Sequence, residues 1–209
     1  MQTQQEIARL LLEKKAVIVR PEDPFTYSSG IKGPIYCDNR MLLSFPDARD
    51  KVIEAFLDIM KDMEYDAICG VATAGIAWAA ILAEKLKKPL LYARAKAKEH
   101  GKENKIEGVL MPGQKVVVIE DLISTGGSSI NVIYALREAG GVVKDCIAIF
   151  TYEMETAKKA FLEAECTLHC ATTFTALLIE TGHVKKIMKE NKVVLEHKNK
   201  ELEAWSKRH

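Results

Sequence analysis

One stretch of the sequence decides the fold: it runs Val116-Val-Val-Ile-Glu-Asp-Leu-Ile-Ser-Thr-Gly-Gly-Ser-Ser129. An unbroken apolar run is typical of a strand buried in a parallel sheet, because such a strand is covered on both faces. An acidic pair, Glu120 and Asp121, ends this run, and a small, hydroxyl-rich turn at residues 124–128 leads into a helix. The stretch therefore predicts a strand–turn–helix unit with polar groups where the strand ends.

The rest of the chain predicts an alternation of strands and helices around this unit. We expect helices over residues 3–15, 47–63, 75–86, 127–139, 156–164 and 184–207, and strands over residues 16–19, 66–71, 89–92, 115–121, 142–150 and 168–171. Residues 20–40 are rich in proline and glycine, which is typical of turns and extended chain. This order predicts an α/β fold with an open, mostly parallel sheet flanked by helices on both faces.

Composition narrows the function classes. The 209 residues carry 30 Lys+Arg against 29 Asp+Glu, so overall charge gives no basis for binding nucleic acid. No apolar stretch is long enough for a membrane helix, and residues 1–12 lack the pattern of a signal peptide. Five irregularly spaced cysteines favour reduced thiols and a cytoplasmic location. Cys166, His169 and Cys170 lack a second ligand pair, so we expect no protein metal site.

The turn at residues 124–128 has the chemistry of an anion cradle. Backbone N–H groups at a helix start are unpaired and hold anions, and glycine allows a phosphate to approach closely. The carboxylates of Glu120 and Asp121 repel a phosphate but accept hydrogen bonds from sugar hydroxyls. A P-loop would need a lysine after its second glycine, which is absent here. The unit therefore predicts a ribose phosphate ligand, with a plain capped strand–turn–helix junction as the alternative.

Residues 120–129 resemble the phosphoribosyl pyrophosphate (PRPP) motif of type I phosphoribosyltransferases. The resemblance implies that the two carboxylates face the 2- and 3-hydroxyls of the ribose. The other residues that it assigns to PRPP here are Leu122, Ile123, Ser124, Thr125, Gly126, Gly127 and Ser128.

Three further segments resemble the orotate phosphoribosyltransferase family: residues 25–40 its N-terminal signature, 70–77 its pyrophosphate turn and 94–101 its mobile catalytic loop. The resemblance implies transfer of phosphoribose from PRPP to orotate, with Mg²⁺ carried mainly by PRPP. It also implies a homodimer in which residues 94–110 reach the neighbouring active site. The catalytic residues that it implies are Lys98, Arg94 and His100, and the further PRPP contacts are Thr73, Ala74 and Lys96.

For orotate, the expected contacts are Ser124, Lys32, Tyr36 and Cys37. We expect one domain in three parts: an N-terminal helix and base-binding hood at 1–45, a PRPP-binding core at 46–183 and a C-terminal helix at 184–209. Two alternatives remain open at this point. One is a phosphoribosyltransferase for another nucleobase, and the other is a non-catalytic regulator that binds PRPP.

Overall fold

A computed structural model of the protein describes residues 3–20, 25–26, 32–33, 35–95 and 105–181. In chain order the strands are β1 (Val17–Val19), β2 (Phe25–Thr26), β3 (Lys32–Gly33), β4 (Ile35–Cys37), β5 (Ala67–Val71), β6 (Leu90–Ala93), β7 (Ile106–Glu107), β8 (Val116–Ile123), β9 (Asp145–Thr151) and β10 (Thr167–Thr173). The helices are α1 (Gln4–Glu13), α2 (Pro46–Met60), α3 (Ala74–Leu86), α4 (Gly127–Glu138), α5 (Glu155–Glu163) and α6 (Phe174–Glu180), with a 3-10 helix at Asn39–Ser44. None of the described helices combines the length and the apolar character that a bilayer crossing requires.

A six-stranded sheet with the order β10-β9-β8-β5-β6-β7 forms the centre of the molecule. Its neighbouring strands are parallel except for β6 and β7. Helices α1, α2, α3 and α6 pack on one face together with Val117 and Ile119 of β8. Helices α4 and α5 pack on the other face together with Val116 and Val118. This arrangement confirms the predicted open, mostly parallel sheet with helices on both faces.

Helix α3 lies unusually close to the sheet. A Cβ atom placed on Gly75 would lie 2.4 Å from the main-chain oxygen of Ile119 in β8. A Cβ atom on Gly70 in β5 would lie 2.8 Å from the main-chain oxygen of Gly75. Glycine at these two positions therefore lets the start of α3 rest directly on the backbone of β5 and β8.

The N-terminal helix joins the central core. Thr3 and Glu6 form a capping box, in which the Thr3 N–H donates to Glu6 Oε2 at 2.6 Å and the Glu6 N–H donates to Thr3 Oγ1 at 3.2 Å. The buried face of α1 packs against β10 and α6. Two short antiparallel pairs follow, β1 with β4 and β2 with β3. The 3-10 helix then leads into α2.

The structure departs from the predicted elements in several places. Strand β8 continues two residues beyond Asp121, and β9 begins three residues later than expected. The two-residue strand β7 lies inside the loop predicted at residues 94–110, where pairing with β6 creates it. Helix α6 follows β10 directly, and Thr173 caps it by accepting from the N–H of Ala176 at 3.1 Å. The helix expected at residues 184–207 lies outside the described residues.

Candidate active site

The carboxyl ends of β5 and β8 lie side by side at the middle of the sheet. From β5 the chain passes through α3 to β6 on one side, and from β8 it passes through α4 to β9 on the other. Open α/β sheets bind ligands in the crevice where consecutive connections diverge in this way. The topology therefore places the candidate site at this crevice, where the acidic pair lies.

The turn after β8 presents an open helix start. Gly126 precedes α4 with a φ of +82°, a conformation that glycine adopts without strain. Since Gly126 has no side chain, it cannot accept from the first N–H groups of α4, and these remain available to an anion. The hydroxyl-bearing residues Ser124, Thr125 and Ser128 are exposed around it. The turn thus combines an uncapped helix start with exposed hydroxyl groups, and phosphate binding there stays a prediction.

A second helix start lies beside the first. Helix α3 begins at Ala74, and the side chain of its N-cap residue Thr73 makes no capping hydrogen bond among the described residues. Thr73 is exposed, and Ala74 is partly buried. Because α3 and α4 cover opposite faces of the sheet, their positive ends approach the crevice from both sides. Two anionic groups on one ligand can be held here together.

The acidic pair lies deeper in the site. Glu120 is 7% exposed, and its Oε1 accepts from the N–H of Asp121 at 2.9 Å. Burial raises the pKa of Glu120, and the neighbouring carboxyl group of Asp121 raises it further. Burial likewise raises the pKa of Asp121. Carboxylates in this setting gain from hydroxyl donors, which replace lost water as partners for the charge.

Arg94 is the one predicted catalytic cation that lies within the described residues, at this edge of the sheet. It follows β6, and its N–H donates to the main-chain oxygen of Lys105 at 2.9 Å. Its Nε is buried and has no hydrogen-bond partner among the described residues. A buried guanidinium N–H without a partner is costly, so an anionic ligand would satisfy it. Lys96, Lys98 and His100 lie outside the described residues.

The segment after β4 reaches the acidic pair. Asp38 and Arg40 form a two-pronged ion pair, with Nε to Oδ1 at 2.6 Å and Nη2 to Oδ2 at 2.8 Å. The charge of Arg40 lowers, and that of Asp38 raises, the pKa of Asp121, although burial dominates. Between them, the Asn39 side chain donates to the main-chain oxygen of Asp121 at 2.7 Å. Asn39 was not among the predicted site residues. The sequence feature that could have indicated it is its position as a polar residue shortly before the apolar residues 41–43.

The predicted orotate contacts occupy different settings. Tyr36 is 42% exposed, and its ring lies 5.5 Å from that of Phe25. Cys37 points the opposite way, into the core, and burial raises the pKa of its thiol. Ser124 is exposed in the phosphate turn, on the same edge as the acidic pair. Lys32 belongs to β3, and its side chain lies outside the described part of the structure.

A second concavity lies at the opposite edge of the sheet and is far from this chemistry. It is a groove of about 450 Å³ near the starts of β8, β9 and β10. Four of its polar side chains form two pairs, Lys115 with Glu64 and His169 with Asp145, the latter at 2.9 Å. His169 therefore has a structural partner. Within the described ranges, no three His, Cys, Asp or Glu side chains are grouped to hold a metal ion.

Comparison with known proteins shows the family to which the chain belongs. The family model for the phosphoribosyl transferase domain matches residues 39–168. An orotate phosphoribosyltransferase of Listeria innocua is 45% identical over 209 residues, which are 99% of this chain and 100% of that protein. One of Coxiella burnetii is 44% identical over 205 residues, 96% of this chain and 97% of that protein.

A solved structure shares the fold as well. The crystal structure of orotate phosphoribosyltransferase from Aeropyrum pernix superposes with a TM-score of 0.76 at 31% identity, covering 84% of this chain and 98% of that one. The resemblance found in the PRPP motif and the N-terminal signature is thereby confirmed. The chain belongs to the phosphoribosyltransferase family and, within it, to the orotate phosphoribosyltransferases.

Proposed function

We propose that this protein transfers the 5-phosphoribosyl group from PRPP to orotate, which gives orotidine 5-monophosphate and pyrophosphate in pyrimidine biosynthesis. The observation that carries the proposal is the pair of open helix starts on either side of a buried acidic pair. PRPP has phosphate at one end, pyrophosphate at the other and a diol between them. Each part of this ligand meets a group of matching chemistry in the crevice.

Different residues of the chain bind the different parts of PRPP during the proposed reaction. The bond from ribose C1 to pyrophosphate breaks with its electron pair on the leaving oxygen, and the orotate ring nitrogen bonds to C1 and loses its proton. The carboxylates of Glu120 and Asp121 hold the ribose hydroxyls, and the turn at residues 124–128 holds the 5-phosphate. The first N–H groups of α3 stabilise the charge that develops on pyrophosphate, and the loop that begins at Arg94 adds cations to it.

The residues present suit a Mg²⁺ ion carried by PRPP. The site offers two carboxylates, from Glu120 and Asp121, and oxygen donors are what Mg²⁺ prefers. A cation bound there would neutralise part of the phosphate charge. With two protein carboxylates at most, the phosphate and hydroxyl oxygens of PRPP would supply the remaining ligands. The test is to measure turnover after EDTA treatment. We expect turnover to be lost and then restored by added Mg²⁺.

We propose that the protein acts as a homodimer, as its resemblance to the orotate phosphoribosyltransferases implies. Residues 94–110 carry Arg94, Lys96, Lys98 and His100, and we propose that this loop closes over the active site of the neighbouring subunit. Closure would place cations on the pyrophosphate and exclude water, which otherwise hydrolyses PRPP. Co-expression of Lys98→Ala protein with protein that lacks both acidic side chains would then restore activity, because hybrid dimers regain an intact site. Hybrid dimers that form without recovery would contradict the shared site.

We further propose a cytoplasmic location. All five cysteines lie in the described residues as free thiols, and four of them are buried. Burial raises the pKa of Cys69 and of Cys166 to about 12, so these thiols stay protonated and unreactive. Thiols in this state are typical of proteins in a reducing compartment.

The direct test is the fall in orotate ultraviolet absorbance when protein, orotate, PRPP and Mg²⁺ are mixed. Uracil and hypoxanthine in place of orotate distinguish the other nucleobase enzymes. Consumption of either, with orotate left intact, would favour a different base. PRPP binding without consumption of any base would favour a non-catalytic regulator.

A further inference from the structure

Asn39 links the two halves of the candidate site. It is the first residue of the 3-10 helix after β4 and is 1% exposed. Its Nδ2 donates to the main-chain oxygen of Asp121 at 2.7 Å. Its Oδ1 accepts from the thiol of Cys37 at 3.2 Å. One buried amide thus connects strand β4, on the base side, with strand β8, on the ribose side.

The chemistry of both partners fixes the orientation of this amide. The Asp121 carbonyl can only accept, so the NH₂ group of Asn39 must face it. The opposite orientation would place two acceptor oxygens 2.7 Å apart in a buried setting, an unfavourable contact. Because the Asn39 side chain is buried, loss of its donor would deprive the Asp121 oxygen of this partner. Asn39 therefore holds the two strands in one relative position.

Both connected strands supply groups to the proposed reaction. Tyr36, on β4, is an expected base contact, and Glu120 and Asp121, on β8, are expected ribose contacts. The relative position of β4 and β8 then sets the distance between the orotate ring nitrogen and ribose C1. Displacements of about 1 Å between reacting groups can lower rates about 10²-fold, even when each ligand still binds.

We propose that Asn39 is a positioning residue that aligns the orotate-binding strand with the ribose held by the acidic pair. This inference rests on the proposed transferase function and adds a role for a side chain that touches neither substrate. Its consequence is a separation of kinetic effects. PRPP binding depends on the turn at residues 124–128 and on the acidic side chains, whereas bond formation depends also on the alignment.

The chain offers a matched control in Thr172. This side chain is fully buried, and its Oγ1 donates to the main-chain oxygen of Gln4 at 2.7 Å. The bond links α1 with β10, and β10 lies at the edge of the sheet, two strands from β8. Thr172→Val therefore removes a buried side-chain-to-backbone hydrogen bond of the same length, remote from the substrates.

The experiment compares Asn39→Leu, Asn39→Ala and Thr172→Val in the full chain. We expect kcat for orotate consumption to fall about 10- to 100-fold in the Asn39 variants, with the Kd for PRPP from calorimetry within about threefold of the unmodified protein. Thr172→Val is expected to lower the unfolding midpoint similarly but to keep kcat within about twofold. Should Asn39→Leu fail to fold, Asn39→Ala carries the comparison, because its smaller side chain admits water to the Asp121 oxygen.

Three results would overturn the inference. They are an unchanged kcat in Asn39→Ala, an equal loss of kcat in Thr172→Val, or a PRPP affinity that falls by the same factor as kcat. A failure of the proposed function is a separate outcome, because the unmodified protein would then leave orotate absorbance unchanged. If the unmodified protein is active and any of the three results is obtained, only the role of Asn39 is rejected, and the proposed function stands.

Discussion

Glu120→Gln is expected to stabilise the folded protein and to lower its affinity for PRPP. The substitution keeps the size and shape of a side chain that is 7% exposed. It also keeps an oxygen that can accept from the N–H of Asp121, as Oε1 does now at 2.9 Å. What it removes is an ionisable carboxyl group buried beside that of Asp121.

The direction of the stability effect follows from the pKa of Glu120, which burial raises above its ordinary value of 4.5. The folded chain then holds this proton more tightly than the unfolded chain. Below pH 4.5 Glu120 is protonated in both states and carries no penalty. As the pH rises above 4.5, ionisation increasingly favours the unfolded chain, until the folded pKa is passed. Glu120→Gln removes that penalty, so its stabilising effect appears above pH 4.5 and vanishes below it.

The magnitudes are large enough to measure. An uncompensated buried polar group costs about 1–3 kcal/mol, and a charged one costs more. In a protein of this size each kcal/mol shifts the unfolding midpoint by about 2–4 °C. Hydrogen bonds to charged groups contribute about 1.5–3 kcal/mol, so loss of the carboxylate acceptor should weaken PRPP binding about 10- to 100-fold.

Thermal unfolding from pH 4 to pH 8 and calorimetric titration with PRPP test the two effects together. Glu138→Gln makes the same chemical change at an exposed position near the end of α4 and is expected to alter neither quantity. A lower midpoint for Glu120→Gln at pH 8, or an unchanged PRPP affinity, would refute this reasoning.

Three further predictions concern the phosphate sites and the loop. Gly75→Ala should lower the free energy of unfolding by about 1–3 kcal/mol in urea titrations, because the new Cβ would lie 2.4 Å from the Ile119 oxygen; an unchanged midpoint would contradict the close packing. Thr125→Ala and Ser128→Ala should each weaken PRPP binding about tenfold by calorimetry, and unchanged affinity would remove the phosphate cradle from residues 124–128. Lys98→Ala should lower kcat about 10²-fold or more with a much smaller loss of PRPP binding, whereas equal losses would identify a binding residue only.

The strand–turn–helix unit was predictable because its signals are local. The apolar run, the acidic pair and the glycine turn specify a buried strand, a polar end and a helix start within residues 116–129, and the structure has all three. The boundaries of α3 also followed from the sequence to within a residue, since Gly75 and the apolar periodicity agree. At this level propensity and packing indicate the same structure.

Features that depend on distant partners were not predictable in this way. Strand β7 has two residues and exists because β6 pairs with it. The proposed role of Asn39 depends on its hydrogen bond to Asp121, which is 82 positions away in the chain. The buried Nε of Arg94 follows from packing at the end of β6. No periodicity within a short window carries such information, because each feature is created by tertiary contact.

The approach of α3 and α4 from opposite faces of the sheet makes the crevice a bidentate receptor. A ligand that spans both helix origins gains a chelate advantage, since anchoring one end raises the effective concentration of the other at its own subsite. If the proposed function holds, ribose 5-phosphate and inorganic pyrophosphate would each engage one subsite, so each fragment should bind far more weakly than the intact substrate. Once the bond between them breaks, both fragments lose that advantage together, and cleavage itself promotes the release of pyrophosphate.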